Sequence, residues 1–134
     1  MNSPLTIVTE YALVSGTSLY TLVDTRVAKD RIPTTRPSFS NSQAILVIQS
    51  QALVQDSFDA PVMEDRYIFK CYGGTSNPDT AETLFRAVHD RFHKAHGDTA
   101  SSGIVLSEFE SGSPMVDPDM GWPLYVATFR IKTT

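Results

Sequence analysis

The residues best suited to chemistry stand close together in the second half of the chain. His89 and His93 are four positions apart, so a helix would place both imidazoles on one face, and Asp90 stands where a zinc protease carries its glutamate. His96 follows one turn later. This spacing is typical of a small metal-dependent hydrolase. However, aspartate is shorter than the usual base, and a helix C-terminus favours cationic histidines in any case. We therefore expect a solvated histidine patch without a metal ion, with the hydrolase as an alternative hypothesis.

Other patterns that carry chemistry are incomplete. Gly73-Gly74 stands between a predicted strand and a predicted helix, where phosphate-binding loops occur, but the lysine of such a loop does not follow. Asp117-Pro118-Asp119 lacks the glycine and glutamate of a calcium loop, and the sequence holds no Gly-x-Ser-x-Gly turn. The remaining carboxylates are scattered, as is typical of surface charge. We expect no enzymatic activity and no cofactor.

The composition is that of an ordinary globular domain. Of the 134 residues, 41% are hydrophobic and 19% are charged, which predicts one domain over residues 1–134. The net charge is −4 without a block of lysine or arginine, so we expect no surface that grips nucleic-acid phosphates. The apolar run Ala44–Ile48 is too short to span a membrane. The single cysteine, Cys71, excludes an internal disulfide and is expected to pack in the core.

Two periodicities predict the elements that would position these residues. Apolar residues recur at helical spacing after Gly74, and this stripe consists of Ala81, Leu84, Phe85, Val88, Phe92 and Ala95. Alternating residues predict strands in which Tyr67, Phe69 and Cys71, and later Tyr125, Ala127, Phe129 and Ile131, face the core. The fold class that follows is α+β, with a mostly antiparallel, mixed sheet packed against an N-terminal helix and one long amphipathic helix.

Caps, prolines and glycines set the predicted boundaries of these elements. The first predicted helix begins at Pro4 and ends near Gly16, and a second, short one begins at a cap on Thr17 or Ser18. The long third helix runs from a cap on Asn77 or Asp79 to Gly97. The predicted strands are Arg26–Arg31, Gln43–Leu53, Glu64–Tyr72, Ile104–Glu110 and Leu124–Lys132. The predicted loops are Ile32–Asn41, Val54–Val62 and Ser111–Trp122.

Four short motifs in this order resemble a known family. They are Arg26–Pro33, which follows the short helix, the aromatic strand ending Ile68–Gly73, the helix segment Ala81–Val88, and the acidic, proline-containing loop that ends in an aromatic residue, Asp117–Trp122. In this order and spacing, the chain resembles the tail terminator, or tail completion, proteins of long-tailed phages and prophages. The resemblance covers nearly the whole chain.

This resemblance implies a role in assembly and not in catalysis. Members of the family form a homo-hexameric ring that caps the tail tube, ends its polymerisation and joins it to the head connector. The expected partners are therefore other copies of the chain, the tail tube protein and the connector or stopper protein, with DNA passing through the lumen without specific binding and no membrane involved. The expected location is the virion, at the head–tail interface, after assembly in the host cytoplasm. A head-side stopper is an alternative of the same size and habit.

Two of the predicted loops, Val54–Val62 and Ser111–Trp122, are the candidate contact regions in such a ring, and Arg36, Arg66 and Arg130 could form charge pairs across it. Loops this long inside a compact domain are often functional. Edge strands of neighbouring subunits could also pair through their backbones. Trp122 is either the edge of the core or an interface anchor. The candidate interface residues are Arg36, Asp56, Phe58, Asp59, Arg66, Asp117, Asp119, Trp122 and Arg130.

Overall fold

A computed structural model gives the fold of the chain. It describes residues 4–14, 17–24, 26–29, 43–55, 63–74, 78–93, 95–98, 103–116 and 123–133. The predicted loop Ile32–Asn41 lies outside these residues, as do most of Val54–Val62 and the end of Ser111–Trp122. The predicted helix stop at Gly16 and the candidate cap Asn77 also lie outside the described residues.

Three described helices correspond to the three that the sequence predicts. Their bounds are Pro4–Ala12 for α1, Ser18–Val23 for α2 and Pro78–Phe92 for α3. The hydroxyl oxygen of Thr17 accepts a hydrogen bond from the Tyr20 N–H at 3.2 Å, so Thr17 is the cap of α2. None of the described helices is both long and apolar enough to cross a bilayer.

Six described strands form one mixed sheet. They are β1 (Val27–Lys29), β2 (Ala44–Gln55), β3 (Met63–Tyr72), β4 (Ala95–Asp98), β5 (Gly103–Val116) and β6 (Pro123–Thr133). The spatial order is β1-β2-β3-β6-β5-β4, with β1 parallel to β2 and the other neighbours antiparallel. The predicted α+β class with a mostly antiparallel sheet is therefore confirmed.

The helices cover one face of this sheet, which we call the inner face. Tyr67, Phe69 and Phe129 point to it and are fully buried, as the alternation predicts. Phe92, the last residue of α3, lies with its ring centroid 4.9 Å from that of Phe69 and 5.3 Å from that of Tyr11 on α1. The core therefore joins α1, α3 and the central strands through one aromatic cluster.

Helix α1 is also held to α3 by a cation. The Arg91 guanidinium carbon lies 3.5 Å from the centroid of the Tyr11 ring, and its Nε donates to the Tyr11 carbonyl oxygen at 3.0 Å. Because one side chain makes both contacts, the end of α1 is fixed in position as well as buried.

The predicted end of the long helix at Gly97 is wrong. Helix α3 ends at Phe92, and Ala95–Asp98 forms strand β4, in which Ala95 lies opposite Ser107 and Gly97 opposite Ile104. Ala95 therefore does not belong to the helical stripe. Residues 93–98, which follow Phe92 directly, include no bulky apolar side chain that would hold another helical turn on the core. Pairing with β5 satisfies their backbone groups instead.

The predicted loop over Ser111–Trp122 is also wrong in its first half, since β5 continues to Val116. Strand β6 supplies a partner for this segment, from Ser111 opposite Thr128 to Val116 opposite Pro123. Gly112 and Pro114, which suggested a loop, are compatible with an edge strand. In the same way, Val54 and Gln55 extend β2 beyond the predicted end of that strand.

Candidate functional site

The candidate residue Arg130 lies in a charged row on the outer face of the sheet, opposite the helices. Its Nε is 3.3 Å from Glu64 Oε1 on β3, and its Nη2 is 3.2 Å from Glu108 Oε2 on β5. The register causes this, because Arg130 on β6 lies directly opposite Glu108 and diagonally from Glu64. The two carboxylates therefore hold the guanidinium across three strands.

The second candidate arginine, Arg66, lies beside this row. Its Nε is 2.9 Å from Glu110 Oε1, so the pair reaches from β3 to β5 over the intervening strand. Around them, Glu64, Leu106, Glu108, Arg130 and Lys132 line a shallow hollow of about 150 Å³. Both candidate arginines therefore form ion pairs within the chain. Charge pairs between subunits through these two residues stay a prediction.

The outer face is divided along the strands into a charged part and an apolar part. Near the opposite ends of the same strands, a small apolar cluster is formed by the buried residues Ala44, Leu46, Tyr72 and Leu124. The charged part carries three basic side chains, Arg66, Arg130 and Lys132, and three acidic ones, Glu64, Glu108 and Glu110. Its formal charge is therefore balanced, so it is not expected to hold a polyanion strongly.

The histidine patch belongs to an aromatic wall. The rings of His89 and His93 are stacked, with centroids 4.7 Å apart, and His93 Nδ1 accepts a hydrogen bond from the Phe109 N–H at 3.4 Å. His89 also packs edge-on against the Phe109 ring at 5.0 Å. Among the described residues, no three His, Cys, Asp or Glu side chains lie close enough together to hold a metal ion. The side chain of His96 lies outside the described residues.

A groove runs between α3 and the C-terminal half of β5. Tyr125 stacks on Phe85 with centroids 4.0 Å apart and divides the groove into two hollows. One, of about 560 Å³, is lined by Glu82, Pro114, Met115, Val116, Pro123, Leu124 and Tyr125. The other, of about 490 Å³, is lined by Phe85, Arg86, His89, Asp90, Phe109, Gly112 and Tyr125. The groove is apolar at its base and charged along the α3 side.

Gly112 allows the aromatic rings to approach β5 this closely. A Cβ atom at this position would lie 3.1 Å from Tyr125 Cε1, 3.2 Å from Phe85 Cε1 and 3.3 Å from Phe109 Cζ. These distances are tighter than ordinary van der Waals contacts, so a larger residue would push the rings apart. The glycine that suggested a loop is therefore a packing requirement of the groove.

Among the described residues, the long strands nearest the two edges of the sheet, β5 and β2, are each paired along only part of their outer side. Strand β4 pairs with β5 from Gly103 to Ser107, and within the described part of the chain no strand lies beside Glu108–Val116 on that side. We call Glu108–Val116 the open half of β5. Its end carries two of the most exposed large apolar side chains among the described residues, Met115 at 51% and Val116 at 64%.

The other edge shows the same arrangement at the opposite end of the sheet. Strand β1 pairs with β2 only from Ile45 to Val47. As far as the described residues extend, no strand lies beside Ile48–Gln55 on that side, and we call this segment the open half of β2. Unpaired edge strands expose backbone N–H and C=O groups that can pair with another chain.

Burial raises the pKa of ionisable groups on the inner face of the sheet, among them Asp65 and Cys71. Asp65 is fully buried, and its Oδ2 accepts from Gln49 Nε2 at 2.9 Å and from the Tyr67 hydroxyl at 3.3 Å. Its Oδ1 has no hydrogen-bond partner among the described residues. Desolvation raises the pKa of Asp65 above its usual value, and burial raises the pKa of the Cys71 thiol. Cys71 is therefore a core residue, as predicted, and is not activated as a nucleophile.

The structure brings two of the nine candidate interface residues together, Arg66 and Arg130. The others lie outside the described residues: Arg36, Asp56, Phe58, Asp59, Asp117, Asp119 and Trp122. Sequence reasoning missed the exposed end of β5. The available signal was the pair Met115-Val116, an apolar dipeptide in an otherwise polar segment that was interpreted as a loop.

Comparison with known proteins gives a match at the level of fold. No protein-family model matches this chain, and no curated protein matches it. Among solved structures, a chain from the virion of a native gene transfer agent particle is similar, with a TM-score of 0.74. The similarity covers 98% of this chain and 94% of that chain at 14% sequence identity. At this identity the similarity establishes a shared fold.

Proposed function

We propose that this chain is a structural protein of a phage-like particle. The observation that carries the proposal is the fold shared with a gene transfer agent virion chain over nearly the full length of both proteins. A match over 98% of this chain and 94% of that chain compares nearly the whole of both and not one common motif. The motif resemblance to tail terminator proteins points to the same class of particle from the sequence side.

The more specific proposal is that copies of the chain form a hexameric ring on the tail tube. The ring ends tube polymerisation, presents a surface to the head connector or stopper, and leaves a lumen through which DNA passes. It acts without catalysing a reaction and is located in the virion, at the head–tail interface, after assembly in the host cytoplasm.

Two features of the surface support an assembly role. The half-covered sheet edges offer backbone groups to a neighbouring protein. The balanced charges on the outer face, paired between strands, would let a polyanion move past without binding tightly. Neither feature requires a bound metal or cofactor.

The test is the effect of the purified protein on tail tubes. Tubes are assembled from the tail tube protein of the same particle, and the chain is added before or during polymerisation. We expect light scattering to show a mass six times that of one chain, either free or on the tube. We also expect electron microscopy to show a ring at one tube end and growth that stops after its addition.

The outcome of this test separates the candidate roles. A chain that stays monomeric at high concentration and neither binds nor caps tubes would contradict the proposal. Binding to the head connector without any binding to tubes would instead favour the head-side stopper. Val14→Lys, at an exposed position outside both sheet edges and the groove, is a matched control that should cap tubes as the unmodified chain does.

A further inference from the structure

We propose that neighbouring copies of this chain join edge to edge, with the open half of β5 on one copy pairing antiparallel with the open half of β2 on the next. This inference rests on the proposed function and specifies the contact within the ring. It commits to a second copy as the occupant of the open half of β5, because the same chain carries both complementary edges.

The two open halves are compatible in length and direction. Because β-bulges interrupt both strands, Glu108–Val116 occupies eight ladder positions and Ile48–Gln55 occupies six, so the two segments can overlap over about 20 Å. Strands β2 and β5 run in opposite directions within the sheet, since three antiparallel pairings separate them. Two copies side by side in the same orientation therefore bring these edges together as an antiparallel pair.

The register fixes how far the copies must be displaced. Gln51, Arg66, Arg130 and Glu108 lie opposite one another in one row across the sheet. Placing Ile48 of the next copy opposite Val116 keeps β1, which pairs with β2 up to Val47, clear of β5. Ile48 lies two ladder positions from this row and Val116 seven, so the copies are displaced by about five positions, or about 17 Å along the strands. A stagger of this kind is compatible with a closed ring of tilted strands.

The covered halves of both edges fit this displacement. With the shift, Gln55 of the next copy lies opposite Ser111, beyond the end of the segment that β4 covers. At the other end, Ile48 lies opposite Val116, so β1 of the next copy, which pairs with β2 only up to Val47, falls beyond Val116. The contact pairs unlike edges, as a head-to-tail ring requires, and every subunit uses the same two edges.

Side chains and backbone of the open half of β5 favour a specific contact. Pairing would cover Met115 and Val116, which are otherwise exposed at 51% and 64%. Pro114 has no N–H, so a ladder formed here lacks one donor. Proline on an edge strand discourages indiscriminate pairing with other strands. Apolar contact at the strand end then adds to an incomplete ladder.

A disulfide between copies tests this register. We expect Ala52 of one copy to lie opposite Ser113 of its neighbour, and Cα atoms of opposed antiparallel residues are about 4.5–5.5 Å apart, within disulfide range. The variant carrying both Ala52→Cys and Ser113→Cys is assembled on tubes and oxidised. We expect a ladder of covalent multimers on a non-reducing gel, which reductant abolishes. The native Cys71 is buried and should not compete.

Matched variants serve as controls for this cross-link. A mixture of the two single variants should give covalent dimers and no longer species. Ala52→Cys combined with Thr83→Cys, which places the second thiol at an exposed position on α3, should give no ladder. An independent variant is Val116→Lys, which should weaken self-association at least about tenfold with an unchanged melting temperature, whereas Val14→Lys should not.

Failure of this inference differs from failure of the proposed function. Rings that form on tubes but never cross-link, together with normal association of Val116→Lys, would overturn the edge contact and leave the ring intact. A covalent band that joins Ser113→Cys to a cysteine-bearing tube subunit would assign the open half of β5 to a foreign strand, and would also overturn it. A chain that never assembles contradicts the proposed function itself.

Discussion

Replacement of Phe92 by alanine should be among the most destabilising substitutions in this chain. The Phe92 ring is fully buried at the end of α3 and lies within 6.0 Å, between centroids, of the rings of Tyr11, Phe69 and Phe129. Its removal would leave a cavity where α1, α3 and the sheet meet. Such a cavity collapses poorly, because three separate elements hold its walls.

The expected loss in the free energy of unfolding is about 3–5 kcal/mol, the range for deletion of a buried aromatic ring. For a domain of this length, that corresponds to a fall of about 10–18 °C in melting temperature. A loss of this size is a large fraction of the stability of an ordinary domain. We therefore expect Phe92→Ala to fold at low temperature and to melt much earlier than the unmodified chain.

Urea denaturation followed by far-ultraviolet circular dichroism measures this loss. Phe85→Ala is the matched control, since Phe85 lies on the same helix but is only half buried and stacks on Tyr125 in the groove. Its expected loss is about 1–2 kcal/mol, in proportion to the smaller area that it removes from water. Equal losses for the two variants, or a larger loss for Phe85→Ala, would refute the assignment of Phe92 to the centre of the core.

Two further predictions concern charged groups. Because burial raises the pKa of Asp65, its protonated form favours folding, so this contribution is present at acidic pH and is lost as the pH rises through the raised pKa. Asp65→Asn should therefore be more stable than the unmodified chain at neutral pH and similar to it in acid, and urea titrations across this pH range that show no such convergence would contradict the explanation. The pair Arg66–Glu110 is partly exposed, so a double-mutant cycle with alanine at each position should give a coupling of about 0.2–1 kcal/mol. This coupling should shrink in high salt, and a value that is unchanged by salt would argue against an ion pair.

Local patterns predicted much of this fold. The alternation in β3 and β6 identified the residues that face the core, and the apolar stripe that begins at Ala81 identified α3, although not its end. The expected cap on Thr17 or Ser18 identified the start of α2. Each of these signals lies within one element, so neighbouring residues are sufficient to express it. The α+β class follows from the same elements without knowledge of their pairing.

The elements that sequence reasoning missed depend on distant partners. Ala95–Asp98 is a strand because β5 lies beside it, and Ser111–Val116 is a strand because β6 lies beside it. Local composition in both segments indicates something else, a helix end in one and a loop in the other. The ion pairs of Arg130 also depend on strand register, which brings Glu64 and Glu108 to it from two other strands.

The position of β6 in the sheet has a consequence for how the chain folds. This strand follows all the other described elements in the sequence, yet it lies between β3 and β5 in space. Strands β2 and β3 can pair early during synthesis, but one edge of β3 must wait for residues that the ribosome adds about sixty positions later. Until then the nascent chain exposes strand edges, which invite aggregation. Closure of the sheet is thus a late, non-local event, and such topologies fold slowly.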